Sequence, residues 1–273
     1  MKAQRLFVVL ALVLIACHKK TSIKQGGTQG TTENPDLPTC SQDDTAPGTH
    51  GPDMVHVGLL DQTCFWIDST EVSREQYAEF LDAVSKGDAS AADGCDTTDF
   101  TTTTCETESA IPVSLAPDHP IVCVDWCMAA SYCAWAGKTL CSGGTGTKVN
   151  DAKYSQWYSA CSTGDQNVYP YGDDLDTDAC NIGDTSGTGC LDAPDACSTV
   201  AVGHKSCATE SKVYDLSGNV GEWVNECSGS ECNVRGGSYA AASGEVTCES
   251  VDGMDKDKRR FDVGFRCCAA EVK

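Results

Sequence analysis

Hydrophobic and polar residues follow two different periods between residues 54 and 84. Residues 54–57 and 64–67 are short apolar runs rich in β-branched and aromatic residues, on either side of a polar turn at 60–62. Such runs bounded by turn residues are typical of β-strands, so they predict a hairpin. Apolar residues then recur at spacings of three and four from Tyr77 to Val84, which is the period of one helix face.

The residues that begin and end helices predict two of them. Ser73 and Gln76 form a capping box before the periodic stretch, and Gly87 is typical of a helix end. A second helix is predicted over residues 126–136, with Asp125 as its N-cap. The rest consists of short apolar pieces separated by Gly, Asp, Asn and Cys. This pattern predicts one irregular, loop-rich α+β domain with few short helices.

The N-terminal segment indicates export. Residues 6–15 are an uninterrupted apolar run behind a basic start, too short for a lasting membrane span and typical of a signal peptide. The run ends in Leu14-Ile15-Ala16-Cys17, which resembles a bacterial lipobox. The alternative is an ordinary signal peptide with a chance cysteine. We expect removal of residues 1–16, lipidation of Cys17, and an exported lipoprotein anchored at the outer membrane or cell surface.

Composition divides the mature chain into a tether and a domain. Residues 17–52 are polar and rich in Gly, Thr and Pro, so we expect a flexible lipidated tether, with Cys40 as its tie to the domain. The domain is predicted over residues 53–270. Within it, residues 88–118 are an acidic, Thr-rich insertion, which we expect Cys95 and Cys105 to close as a loop.

Charge and cysteine content exclude several classes of protein. The formal net charge is −21, which opposes binding to nucleic acid because phosphates would be repelled. The 19 cysteines suit an oxidising compartment and disulfides. The sequence contains no Cys-x-x-Cys, so thioredoxin-like and zinc-ribbon proteins are excluded as well.

Several segments occur together in an order that resembles the formylglycine-generating enzyme, or sulfatase-modifying factor, family. They are FWI (65–67), TEVS (70–73), HPIV (119–122), YCAWAGK (132–138), YPYGD (169–173), DLSGNVGEW (215–223), RGGSY (235–239) and VGFRC (263–267). The resemblance covers residues 54–268. It implies a fold related to C-type lectin-like domains, with few short helices, small antiparallel sheets and bound calcium.

The DLSGNVGEW segment is the first candidate calcium site. Asp215, Gly218, Val220 and Glu222 offer two carboxylates and two carbonyls within one tight turn. Hard oxygen ligands of this kind are what Ca²⁺ requires, and the resemblance implies a calcium ion at these positions. The alternative is a plain structural turn whose acids lie in water.

The resemblance also implies a second calcium site and two disulfides. The second site would use Asn181 and Ile182, with Asp192 or Asp195 as the acidic partner. The implied disulfides are Cys133–Cys267 and Cys161–Cys248.

The positions of the family's catalytic thiols are occupied by other residues. In active members, two cysteines shortly after the GGS[FY] segment hold Cu(I) and oxidise a substrate cysteine to formylglycine. The matching positions here are Ala241 and Val246. Neither side chain can ligate copper or exchange a disulfide. We therefore expect a pseudoenzyme without bound copper and without catalytic residues.

Three functions remain open. The leading hypothesis is a calcium-stabilised, non-catalytic module that binds a peptide or glycan, with the membrane as partner through the lipid anchor and no nucleic acid. The first alternative is an oxidase of formylglycine-generating type, acting on a cysteine or serine of a sulfatase-like substrate. Its copper site would have to come from Cys248 or from Cys267 and Cys268. The second alternative is a structural envelope lipoprotein whose charge supports solubility or binds cations.

Overall fold

The computed structural model describes most of the domain. It covers residues 37–41, 44–96, 99–102, 105, 116–144, 148–183, 198–204 and 206–271. The predicted signal peptide, Cys17 and most of the predicted tether lie outside the described residues, as do Asp192 and Asp195. Within the described ranges, no helix is both long enough and apolar enough to cross a membrane.

Short helices and strands alternate with long irregular segments. The helices are α1 (Arg74–Lys86), α2 (Trp126–Trp135) and α3 (Gln156–Ser162). The strands are β1 (Met54–Gly58), β2 (Cys64–Asp68), β3 (Thr139–Leu140), β4 (Gly221–Ser228), β5 (Glu231–Arg235), β6 (Val251–Asp255), β7 (Val263–Phe265) and β8 (Cys267–Ala270).

The first sheet joins the two ends of the domain. Its strand order is β1-β2-β8-β3, and all its pairs are antiparallel. The predicted hairpin is confirmed as β1 and β2, with Met54 opposite Asp68. Strand β8 lies between β2 and β3, with Phe65 opposite Ala270 and Leu140 opposite Cys267. This sheet therefore depends on pairing between residues far apart in sequence.

The second sheet carries the candidate functional residues at one end. Its strand order is β6-β5-β4-β7, and β4 and β7 run parallel while the other pairs are antiparallel. Glu222 on β4 lies opposite Arg235 on β5 and Gly264 on β7. A register shift between Trp223 and Cys227 bends β4 beyond that point. The turn before β4 (residues 215–220) and the loop after β5 (residues 236–250) therefore meet at the same end of the sheet.

The two predicted helices are confirmed, and a third was not predicted. The capping box of Ser73 and Gln76 is present in α1, and Gly87 ends the helix with a left-handed φ of 79°. Asp125 caps α2 by accepting a hydrogen bond from the Met128 amide. Helix α3 has no polar face, because all of its residues from Trp157 onward are buried. It therefore lacks the alternation by which a surface helix is recognised in sequence.

Eight disulfides link the described elements. The expectation that Cys95 and Cys105 close the 88–118 insertion as a loop is wrong. Cys95 pairs with Cys127 on α2, and Cys105 pairs with Cys123, so each of them fastens the insertion to the domain. The other pairs are Cys40–Cys64, Cys133–Cys267, Cys141–Cys268, Cys161–Cys248, Cys180–Cys207 and Cys227–Cys232.

Part of the segment assigned to the tether packs against the domain. Cys40 is disulfide-bonded to Cys64 on β2. The Thr49 amide donates to the carbonyl oxygen of Ala136 over 3.2 Å, and the His50 ring stacks on Trp135 at 4.0 Å between centroids. Contacts with the domain therefore begin before the predicted boundary at residue 53.

Candidate functional site

The turn before β4 is built by three residues with left-handed backbone. Asp215, Gly218 and Asn219 have φ values of 58°, 76° and 54°. Gly218 is required there, because a Cβ atom would collide with the carbonyl oxygen of Asn181 and would crowd the side chain of Ile182. The turn is thus pressed against the Asn181–Ile182 segment. The residues assigned to the two calcium sites lie in contact.

Asn219 is the polar centre of this turn and is fully buried. Its Nδ2 donates to Glu71 Oε1 over 2.9 Å. Its Oδ1 accepts from the Val200 amide at 3.0 Å and from Asn181 Nδ2 at 3.2 Å. Its backbone N–H donates to the carbonyl oxygen of Asn181 over 2.7 Å. One side chain therefore joins the turn to the start of α1 and to the Asn181 segment.

Glu222 is held by a buried guanidinium. Arg266 donates from Nε to Glu222 Oε2 over 2.7 Å and from Nη2 to Glu222 Oε1 over 2.6 Å. Trp157 Nε1 donates to the same Oε2 over 2.8 Å. The side chains of Arg266 and Glu222 are 0% and 1% exposed. Such a bidentate pair is strong and balances the charge of the carboxylate.

The carboxylates of Asp215 and Glu71 are less fully hydrogen-bonded than that of Glu222. Asp215 Oδ2 accepts from the amides of Gly203 and His204 at 2.6 and 3.1 Å. Asp215 Oδ1 and Glu71 Oε2 are buried and have no hydrogen-bond partner among the described residues. Burial raises the pKa of both acids, and the negative charge of Asp215 raises the pKa of Glu71 further. Two buried acids therefore each keep one unused oxygen.

A cavity of about 410 Å³ lies beside the loop that follows β5. Ala241 lines its wall, whereas Val246 is buried and 1% exposed. Ser217 Oγ donates to the carbonyl oxygen of Val246, which ties this loop to the turn before β4. The other lining residues are three valines and a set of small or polar residues, namely Val234, Val251, Val263, Gly221, Gly237, Ser238, Ala240, Gly244, Glu245, Ser250, Asp252, Arg260 and Asp262.

The charged groups around the cavity are largely paired with one another. Arg260 Nη1 donates to Asp252 at 2.7 Å, and its Nη2 donates to Asp262 at 2.8 Å. Ser238 Oγ also donates to Asp262 over 2.8 Å. Glu245, Asp252 and Asp262 face a single arginine among the lining residues. The polar part of the wall is therefore acidic and hydroxyl-bearing, and valines form an apolar part beside it.

Comparison with known proteins identifies the family. Residues 27–271 match the family model of the sulfatase-modifying factor enzyme 1-like domain. The chain belongs to this family. No curated protein matches the sequence closely enough to be compared with it.

Two solved structures share the fold of this family member. The crystal structure of CarF is 19% identical, with a TM-score of 0.56 over 83% of this chain and 97% of that one. The structure of PvdO from Pseudomonas aeruginosa is 16% identical, with a TM-score of 0.55 over 84% of this chain and 100% of that one. At these identities the likeness shows the fold alone. The predicted fold class, irregular and C-type-lectin-like with small sheets, is confirmed.

The copper site suggested for the oxidase alternative is wrong. Cys248 is bonded to Cys161, Cys267 to Cys133, and Cys268 to Cys141. Every cysteine within the described ranges is in a disulfide. Disulfide sulfurs are not thiolates, so these residues offer no soft ligand for Cu(I). The pairs of Cys133 and Cys161 are also the two that the resemblance implies.

The first predicted calcium set is only partly suited to a metal ion. Asp215 offers a buried oxygen without a partner. Glu222 does not, because both of its oxygens accept from Arg266. Glu71 is the better second acid, since its free oxygen lies near the negative charge of Asp215. Sequence reasoning missed Glu71, because it lies in the TEVS segment (70–73) before α1 and no local pattern relates it to the turn.

The other predicted ligands lie around the same turn. Val220 is buried with Val122 and Cys123. Ile182 packs against the Cys180–Cys207 disulfide region. Asn181 donates from its side chain to the carbonyl oxygen of Ser198 over 2.9 Å. The acidic partners proposed for the second site lie outside the described residues.

Proposed function

We propose that this protein is a non-catalytic, lipid-anchored binding module that holds a peptide or glycan in the cavity beside Ala241. The observation that carries the proposal is the cavity itself. It lies on the loop in which Ala241 and Val246 replace the thiols of the family's active members. The surrounding frame is buried, hydrogen-bonded and cross-linked by disulfides. A binding function needs such a frame and needs no reactive side chain.

The chemistry of the wall favours a neutral or cationic ligand. Carboxylates, serine hydroxyls and valine side chains lie beside small residues that leave room for a ligand group. Carboxylates accept hydrogen bonds from sugar hydroxyls and from lysine or arginine side chains. The net charge of −21 repels anionic ligands, including nucleic acid.

A calcium ion at the turn before β4 is part of the proposal. Asp215 and Glu71 supply oxygens that have no hydrogen-bond partner in the described part of the chain, and Gly218 and Val220 are the candidate carbonyl ligands. When bound, Ca²⁺ would neutralise the two buried acids. The cavity loop is tied to this turn through Ser217 and Val246. Calcium would therefore stabilise the frame that positions the ligand.

Attachment to a membrane through Cys17 is the third part. The lipobox-like segment 14–17 supports it. Mass spectrometry of the purified N-terminal peptide should find acyl chains on Cys17, and Cys17→Ala should release the protein from membranes. An unmodified Cys17 on a membrane-bound protein would contradict this part.

The binding function is tested with peptide and glycan arrays probed by the labelled protein. We expect saturable binding to one class of ligand and at least a tenfold loss in Ala241→Trp, whose indole would occupy a large part of the ligand space. The control is Ala201→Trp, which adds the same side chain at an exposed position. Absence of any binder above background, or equal binding by both variants, would contradict the proposal.

The oxidase alternative is tested on the same preparation. Thiol labelling under denaturing conditions and elemental analysis should find neither free thiols nor copper. Two free thiols together with bound copper would establish an oxidase instead. The calcium part is tested by thermal unfolding, where saturating Ca²⁺ at about 100 times Kd should add about 2.7 kcal/mol. Asp215→Asn should remove this gain and exposed Asp93→Asn should keep it.

A further inference from the structure

Three potential metal ligands meet on the outer face of the first sheet, away from the residues discussed so far. A ring nitrogen of His56 and carboxylate oxygens of Asp44 and Glu271 lie within 4.8 Å of one another. Asp44 precedes β1, His56 lies on β1, and Glu271 follows β8. We propose that these three residues bind a zinc ion that fastens the segment before β1 to the sheet. The proposal is independent of the cavity and of calcium.

His56 is prepared for this role by its surroundings. The residue is 4% exposed, and its Nε2 has no hydrogen-bond partner among the described residues. Its Nδ1 lies 2.6 Å from the carbonyl oxygen of Ser41. Because a carbonyl oxygen can only accept, Nδ1 carries the proton and Nε2 keeps its lone pair. A histidine fixed in this way by a backbone carbonyl is the common arrangement of a metal ligand.

The ring of His56 is also held in orientation. It stacks on Trp66 with 4.2 Å between centroids and 1° between planes. His56 lies opposite Trp66, and Trp66 lies opposite Ala269 on β8. Side chains two apart on a strand share a face, so the strand direction carries Glu271 to the same face as Ala269. The pairing of β1, β2 and β8 thus brings His56 and Glu271 together.

Asp44 reaches this face from the N-terminal segment. Earlier in this segment, Cys40 is held by its disulfide with Cys64 and Ser41 by its contact with His56. Asp44 and Glu271 are accessible to solvent, so their carboxylates are free to rotate. Tetrahedral zinc ligands about 2.0–2.2 Å from the ion lie about 3.3–3.6 Å apart. The observed spacing is at most 4.8 Å, so rotation of the two accessible carboxylates by about 1 Å brings the three groups to that distance.

The donor set selects zinc over calcium. Imidazole nitrogen suits Zn²⁺ and related transition metals, whereas Ca²⁺ takes six to eight oxygen ligands. One histidine and two carboxylates give three protein ligands and leave a fourth position for water. The two carboxylates carry two negative charges, which balance the charge of the zinc ion.

A second group of atoms near His56 has to be distinguished from the first. The sulfurs of Cys40 and Cys64 also lie within 4.8 Å of a ring nitrogen of His56. They are joined in a disulfide and are therefore not thiolates. In the oxidised protein the carboxylates are the ligands. Zinc binding by the cysteines would require reduction of the disulfide.

The test is a titration of the purified, metal-free protein with ZnCl₂ by calorimetry, in excess CaCl₂ to occupy non-specific acidic sites. We expect one zinc ion per chain at this site and a shift of the His56 ring signals by NMR. Asp44→Asn and Glu271→Gln should each weaken binding about tenfold or more. Both side chains are accessible, so both variants should fold, as circular dichroism checks. Glu210→Gln is the control, because it removes the same charge at an exposed position outside the group.

Three results would overturn the proposal. The first is no saturable zinc binding in the wild-type protein. The second is equal weakening in Glu210→Gln and Glu271→Gln, which would indicate a general charge effect. The third is free thiols at Cys40 and Cys64 in the protein before the titration, which would assign the zinc to these cysteines.

Discussion

The turn before β4 and the loop after β5 are adjacent but differ in composition. Buried charged and polar residues surround the turn, whereas small residues line the loop. At the turn, Asp215, Asn219 and their neighbours Glu222 and Arg266 are buried, and their hydrogen bonds reach β2, α3 and the segment before α1. In the loop, Ala241 and other small residues border an open cavity. Substitution of a buried, paired charge should destabilise the protein strongly. Substitution of a small side chain at the cavity wall should change its stability little. The difference separates the residues that maintain the fold from those that the proposed ligand would contact.

The largest effect on stability is expected when the guanidinium that pairs with Glu222 is removed. Arg266→Met leaves Glu222 buried without its main partner, which should destabilise the protein by about 3–5 kcal/mol. Chemical denaturation measures the loss. Lys86→Met is the control, because its partner Asp82 and the lysine itself are exposed, and it should change little. A loss no greater than that of the control would show that the turn is not the rigid region.

The pH dependence of the free energy of unfolding tests another buried acid, Asp68 at the end of β2. Burial raises the pKa of Asp68 from 3.8 to about 6, although Lys138 and the Cys267 amide lower it. The folded protein therefore holds this proton more tightly than the unfolded chain. Its stabilising contribution is complete below pH 4 and is lost as the pH rises through about 6, by about 1.4 kcal/mol per pKa unit.

The matched variant isolates that contribution. Asp68→Asn cannot titrate, so the fall in the free energy of unfolding between pH 4 and pH 7 should become smaller. Its absolute stability should also be lower, because Lys138 loses its 2.6 Å partner. An unchanged slope in the variant would show that Asp68 does not release a proton in this range.

A substitution that strains the backbone of the turn before β4 should lower the stability by an intermediate amount. Gly218→Ala places a Cβ atom against the carbonyl oxygen of Asn181 at a left-handed φ of 76°. We expect a loss of about 1–3 kcal/mol by thermal unfolding. Gly87→Ala is the control for backbone strain alone, since its added Cβ would meet nothing within 4 Å. Equal losses in the two variants would mean that the contact with Asn181 is unimportant.

The smallest effect is expected in the loop. Ala241→Val adds two methyl groups toward open space and should change stability by less than about 0.5 kcal/mol. Thermal unfolding checks this. A loss above about 1.5 kcal/mol would indicate that the loop is packed as tightly as the core, and the contrast between the two regions would fail.

Local signals in the sequence were sufficient for part of the fold. The β1–β2 hairpin, the Ser73 capping box and the Asp125 cap each depend on residues within a few positions of one another. The family segments then indicated the overall fold. Helix α3 was missed because it is buried on all sides and has no polar face.

The contacts that decide the candidate site are between distant residues. Glu222 meets Arg266, and Asn219 meets Glu71, with sequence separations of 44 and 148 residues. No periodicity relates such positions. The expectation for Cys95 and Cys105 failed for the same reason, since their partners lie beyond the insertion. The predicted calcium set was drawn from one turn, whereas Glu71, the buried acid near Asp215, comes from another part of the chain.

The position of β8 has a consequence for how the protein is made. It pairs with β2 on one side and β3 on the other, although most of the domain's sequence separates it from β2. During synthesis from the N-terminus, both neighbours expose unpaired edges until β8 emerges, and such edges invite aggregation. A chain broken off before Cys267 would keep both edges open permanently. Cellular quality control should therefore detect truncated copies readily, however intact the rest of their sequence.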